Sequence, residues 1–194
     1  MKKIILSVAG VFILMIAANA QGFGLGIKGG ANLTKLSGQS FDQNFKLGYQ
    51  LGGFAEIDFS KGIGIQPEVL FSESYGRTAS NASAITAGLN GSQDIKLNYL
   101  SIPILLRLNV GKLLTINVGP QYSILVNKHN TTLQNGSNAF KSGDFAMVGG
   151  AQLNLGALRI YGRYDIGLSN INDLGNQDKW TNQQLQLGIG LKVL

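Results

Sequence analysis

Behind an apolar leader, apolar and polar residues alternate along the chain in eight separate stretches. The clearest is the second, where Phe45, Leu47, Tyr49, Leu51, Ala55, Ile57 and Phe59 interleave with Lys46, Gln50, Glu56 and Asp58. A period of two held this long is a half-buried strand, because successive side chains leave a pleated backbone on opposite faces. A helix would crowd Leu47 and Leu51 beside Lys46 and Gln50. The first strand, over residues 23–33, sets Phe23, Leu25, Ile27, Gly29, Ala31 and Leu33 against Lys28, Gly30 and Asn32. Five more follow, over about 63–75, 95–110, 114–126, 144–155 and 158–168, and the last ends the chain with Leu185, Leu187, Ile189, Leu191 and Val193 opposite Gln184, Gln186 and Lys192.

The connections have their own rhythm. Those at 60–62, 109–112 and 156–157 are tight and glycine-bearing, whereas 34–44, 76–93, 127–143 and 169–182 are long and rich in Asn, Ser, Thr, Gly and Gln. Long and short connections alternate, which describes an antiparallel meander with one plain end and one elaborate end. An even strand number returns both termini to the plain end.

The fourth strand breaks the pattern. Ile95, Leu97 and Tyr99 are apolar at odd positions, then Leu100, Ile102, Ile104, Leu106 and Leu108 take the even ones. Pro67, Pro103 and Pro120 also fall inside strands, where each removes a ladder bond. One inserted residue would account for the slip and a proline together, predicting a β-bulge within Tyr99, Leu100, Ser101, Ile102 and Pro103.

The leader fixes a compartment. Lys2 and Lys3 precede an apolar run over residues 4–17, and Ala18-Asn19-Ala20 supplies small residues before a cut at Gln21. Residues 1–20 are thus expected to be a signal peptide and 21–194 a single domain. No later window is apolar enough for a membrane helix, so a membrane location requires strands closed into a barrel.

Alternation alone does not say which face is outside, since a lipocalin-like secreted barrel has its apolar face inward around a ligand. Volume decides. The apolar face carries far more sizeable side chains than an eight-stranded interior holds, while the polar face is rich in glycine and small residues. Aromatics gather near the strand ends, with Phe45, Phe71, Tyr75, Tyr99 and Phe145 towards the long loops and Phe23 and Phe59 towards the turns. The prediction is an all-β, eight-stranded antiparallel up-and-down transmembrane barrel in the outer membrane of a Gram-negative bacterium, with both termini periplasmic.

Composition narrows the chemistry. Without Lys2 and Lys3, 14 of the 16 basic residues remain against 10 acidic ones, scattered and without a basic run, which argues against nucleic-acid binding. There is no cysteine and one histidine, so no disulfide, metal site or cofactor is expected. Gly24-Leu-Gly-Ile-Lys-Gly29 spells a dinucleotide fingerprint but lacks the helix that motif requires, and close backbone packing accounts for it better. His129 lies in a long loop, and Ser123, six residues earlier, has no acid at an orienting spacing. The Asn-x-Ser/Thr triplets at Asn81, Asn90, Asn130 and Asn135 read as polar loop composition.

Parity points Lys28, Glu56, Asp58, Glu68, Arg107, Arg159, Arg163 and Lys192 into the lumen. Rise from the turns sets Glu68 and Arg163 near mid-height and Glu56, Asp58, Arg107, Arg159 and Lys192 near the turn end. An ion-paired structural plug is the expectation, because eight strands leave room for side chains and little else.

Several segments resemble the PorT-like outer-membrane β-barrel proteins of Bacteroidota: Gly26-Ile-Lys-Gly-Gly-Ala-Asn32, Gln66-Pro-Glu-Val-Leu-Phe-Ser72, Tyr99-Leu-Ser-Ile-Pro-Ile-Leu-Leu-Arg107, Gly119-Pro-Gln-Tyr122 and Tyr164-Asp-Ile-Gly-Leu-Ser-Asn-Ile171. The resemblance runs through the chain beyond the leader and implies an eight-stranded outer-membrane barrel, assembled by the barrel-insertion machinery. Such chains usually end on an aromatic, whereas this one ends Lys192-Val193-Leu194. The functional expectation is a non-enzymatic surface or structural protein, embedded in outer-membrane lipid, whose loops meet an unidentified extracellular partner. The alternatives are a small pore or secretion accessory and, further off, a lipid-modifying enzyme.

Overall fold

The computed structural model describes residues 22–37, 46–77, 94–127, 143–169 and 181–194. They form eight strands: β1 (Gly22–Ser37), β2 (Lys46–Asp58), β3 (Ile63–Arg77), β4 (Asp94–Val110), β5 (Leu114–Asn127), β6 (Gly143–Leu155), β7 (Leu158–Gly167) and β8 (Thr181–Lys192). Each pairs antiparallel with its neighbours in sequence, and β8 pairs back onto β1, closing the barrel. The expected leader, Phe45, His129, the Asn-x-Ser/Thr triplets and nearly all of the long connections lie outside the described residues.

The distribution of side chains is inside-out. Leu47, Leu51 and Ile189 are 66%, 62% and 60% exposed, while Gln50, Glu68 and Gln186 are 2%, 2% and 1% exposed. Apolar residues of every strand, among them Val69, Val118, Met147 and Ile160, look outward in the same way. A soluble calyx would reverse this, so the lipocalin-like alternative is excluded. Ile57 stands apart. It has the parity of the outward residues but is only 5% exposed, flanked across the ladder by Phe23 and Ile65.

The plain end is built by three tight turns. In the β2–β3 turn, the Ser60 hydroxyl accepts hydrogen bonds from the Gly62 and Ile63 N–H groups. Gly111 and Gly156 sit at φ +70° and +63°, a left-handed conformation that glycine reaches without steric penalty. Gly22 of β1 faces Asp58, and Lys192 of β8 faces Gly26, so β1 starts and β8 finishes at this same end.

The fourth strand corrects the expected bulge. β4 keeps one register with β3 from Arg77↔Asp94 to Ile63↔Leu108, leaving no inserted residue in Tyr99, Leu100, Ser101, Ile102 and Pro103. The single shift lies between Asn98 and Tyr99 on the β5 side, where Asn98 faces Asn127 and Tyr99 faces Leu125, so the extra residue is Val126. Parity does not slip either, because Leu97 and Tyr99 turn inward with Ser101, Leu105 and Arg107 and are buried beside Leu125. Tyr99 therefore belongs to no outer aromatic girdle; among the described residues, Tyr49, Tyr122, Tyr164, Phe59, Phe71 and Phe145 are the exposed aromatics.

The prolines need no bulge. Pro67, Pro103 and Pro120 each keep a partner on the following strand, at Ile104, Gln121 and Met147. Toward the preceding strand the pairing lapses around each proline and resumes unshifted beyond it. A missing N–H removes bonds on one side only, and the register on both flanks carries the strand through.

Candidate functional site

The lumen holds two layers of ion pairs. In the deeper one, Glu68 of β3 receives both guanidinium nitrogens of Arg163 of β7, at 2.8 and 2.7 Å, and the Lys28 ammonium of β1 at 3.1 Å. All three side chains are buried. Tyr161 lies beneath both cations, with Lys28 Nζ 3.8 Å and the Arg163 guanidinium carbon 4.9 Å from its ring centroid. Such contacts add cation–π attraction to the ion pairs. Asp165 lies in the same layer and accepts a 2.6 Å hydrogen bond from the Gln186 amide, so the layer holds two basic and two acidic side chains.

Tyr161 fits because the strands beside it carry glycine. It faces Gly188, which in turn faces Gly30, and a Cβ on either glycine would run into the tyrosine hydroxyl and neighbouring backbone. Phe54 lies in the same way over Gly26 and Gly190. This explains the glycine content of β1 and β8 better than any phosphate-binding role for Gly24-Leu-Gly-Ile-Lys-Gly29, through which β1 runs unbroken.

The second layer sits at the turn end. Glu56 of β2 takes Arg159 in a two-pronged contact at 2.8 and 2.9 Å and Arg107 at 2.8 Å, and Arg107 also reaches Asp58 at 3.1 Å. Here two cations meet two carboxylates. Gln66 joins the layers, donating to Glu68 at 2.6 Å and accepting from Arg107 at 2.5 Å. Asn109, Thr115, Asn154 and Gln152 extend the network as a chain ending on Asp58 and Glu56.

Of the residues expected in the lumen, Lys28, Glu68 and Arg163 come together at mid-height, and Glu56, Asp58, Arg107 and Arg159 come together at the turn end. Lys192 joins neither cluster and lines the open mouth below them. Gln50, Gln66, Gln152 and Gln186, expected on the polar face but not in the ion cluster, and Tyr161, which sequence reasoning passed over, are all buried in the network. Parity marked them: Gln66, Gln152, Gln186 and Tyr161 each share a face with a charged or polar neighbour two residues away, and Gln50 shares one with Gly48 and Gly52. The apolar share of the lumen, from Phe54, Leu70, Leu105 and Val148, was not signalled at all.

Ser123, weighed as a partner for His129, is buried with its hydroxyl 2.9 Å from that of Ser101 and accepts from Gln121. Among the described residues, no cluster of His, Asp or Glu could hold a metal ion.

Below the second layer the turn end opens into a cavity of about 480 Å³. Arg107, Arg159, Glu56 and Asp58 form its floor, and Lys61, Lys112 and Lys192 stand around its rim.

Three solved barrels share this architecture. Neisserial surface protein A (NspA) is 13% identical with a TM-score of 0.54, covering 89% of this chain and 99% of its own. OprG of Pseudomonas aeruginosa is 14% identical with a TM-score of 0.53, covering 90% and 97%. Ail, the attachment invasion locus protein of Yersinia pestis, solved with the heparin analogue sucrose octasulfate, is 14% identical with a TM-score of 0.50, covering 89% and 99%. At these identities the likeness establishes the fold alone. The comparison with curated proteins gave no match. Residues 19–173 match the family described as outer membrane protein beta-barrel domain. Closed strands, an apolar exterior and that match lead to one conclusion: the chain belongs to the outer membrane protein beta-barrel domain family and is an integral barrel of the outer membrane.

Proposed function

We propose that this protein is a non-enzymatic surface protein whose plugged barrel serves as a rigid scaffold for four long outward connections. The observation that carries this reading is the bond between Glu68 and Arg163, which reach each other from strands on opposite walls and fill the lumen at mid-height. A lumen crossed by ion pairs and glutamine bridges is a support rather than a conduit. Binding then falls to the long connections, as it does on other rigid scaffolds. In this reading residues 1–20 are removed as a signal peptide, the insertion machinery assembles the barrel, the turns and both termini face the periplasm, and the connections meet an extracellular partner. The segments around Gln66-Pro67-Glu68 and Tyr99-Leu-Ser-Ile-Pro103 favour the PorT-like branch of Bacteroidota.

The test is photo-crosslinking on intact cells from a probe placed within residues 78–93. Capture of a surface partner, abolished by deleting that segment while the barrel still inserts, is the expected result. Steady planar-bilayer conductance by the purified barrel would instead favour a small pore. Lipid A of altered mass that depends on His129 would favour an enzyme.

A further inference from the structure

We propose that the turn-end mouth of the barrel binds a small multivalent oxyanion, one carrying two or more carboxylate or phosphate groups. The charge distribution within the cavity points to this. Five cations line it, Lys61, Arg107, Lys112, Arg159 and Lys192, against two carboxylates, Glu56 and Asp58. Both carboxylates are bonded by the two arginines of the floor, at 2.8 to 3.1 Å. The floor amides are engaged too: Asn109 donates to Asp58 and Asn154 to Thr115. The floor is thus neutral in charge and held in place.

The surplus charge is all on the rim. Among the described residues, Lys61, Lys112 and Lys192 have no ion-pair partner, and the cavity between them holds no other acid. Three like charges around one concavity focus a positive potential that water screens only in part. They approach from three separate places on the barrel: the β2–β3 turn, the β4–β5 turn and the end of β8. Flexible ammonium groups converging from three sides match an anion whose charges are also spread, and a single carboxylate would meet only one of them. The volume of about 480 Å³ lies in the range of small-molecule sites. The exposed connections at the other end play no part in this binding, so its failure and that of the surface role are separate outcomes.

The experiment is isothermal titration of the full barrel in a zwitterionic detergent with pyrophosphate, citrate and acetate. The chain bearing K61Q, K112Q and K192Q together serves as the variant, and K46Q, at the opposite end of the barrel, as the control. Heat-modified gel migration checks that each folds. The expected result is near one-to-one binding of a multivalent probe, weakened roughly tenfold or more in the triple variant and unchanged in K46Q, with acetate not binding. Binding of pyrophosphate alone would identify a phosphate source, and binding of citrate alone a carboxylate source. In the wild-type barrel, amide NMR signals of Gly111, Lys112 and Gly156 should move on titration, a readout that needs no variant. The proposal is overturned if neither multivalent probe binds, if the triple variant binds as tightly as the wild type, or if the moving signals belong to the loop end.

Discussion

Glu68 and Arg163 meet across the full width of the lumen, β3 to β7, in a two-pronged contact at 2.7 and 2.8 Å. Because three strands lie between β3 and β7 on either path around the closed sheet, the pair ties opposite walls together. Glu68→Gln would leave Lys28 and Arg163 facing each other over Tyr161 without the carboxylate that contacts them both. Breaking a buried pair by removing one partner costs about 3–5 kcal/mol. Thermal unfolding in detergent should show a loss of that size, with heat-modified migration shifting to lower temperature. An unchanged melting curve would remove Glu68 from the account.

The two ion-paired layers are coupled through Gln66, which bonds Glu68 on one side and Arg107 on the other. Residues sharing a network depart from additivity by about 0.5–3 kcal/mol. A double-mutant cycle of Glu56→Gln and Glu68→Gln should show such a coupling, and repeating it in a Gln66→Leu background should shrink it. Strict additivity in the first cycle would mean that the layers act independently.

Gly188 is where the Tyr161 ring needs space. A side chain there would strike the tyrosine hydroxyl and the Gly29 carbonyl oxygen. Gly188→Val should therefore destabilise the barrel by about 1–3 kcal/mol through overpacking. Gly149→Val is the comparison, because nothing lies within 4 Å of a Cβ at that position. Equal effects at the two positions in equilibrium unfolding would contradict the packing explanation.

Charge on the outer face should be costly. Ile189 is 60% exposed among apolar neighbours. Ile189→Arg should cost about 2–4 kcal/mol if it lies near the bilayer centre. Refolding yield into lipid vesicles, compared with Ile189→Leu, checks this.

Strand number, pairing and the outward face were legible in the sequence because one physical rule, a side-chain period of two, governs nearly every stretch. Leu47, Leu51 and Leu187 obey it without exception. The rule misled at β4. Leu97 and Tyr99 looked displaced because apolar residues were assigned to the outside, yet the loop half of this lumen is partly apolar and takes them inward. The real shift, at Val126, left no trace because a bulge beside a long connection disturbs too few alternations to be seen. Charged lumen residues could be assigned to a height by counting rise, but their pairing could not. Whether Glu56 takes Arg159, or Glu68 takes Arg163, depends on stagger around the closed sheet, which no single strand encodes. Lys61 and Lys112 were read only as turn residues; their convergence with Lys192 exists only once the barrel closes.

The central claim is that apolar side chains face lipid and polar ones fill the interior. The chain contains no cysteine, so single cysteines can be placed along β2 without background. A nitroxide scan of residues 46–54 in lipid vesicles measures it directly. Collisional access to oxygen should be high at Leu47, Tyr49 and Leu51 and low at Gly48, Gln50 and Phe54. The opposite phase, with Gln50 open to lipid and Leu51 shielded from it, would contradict the account.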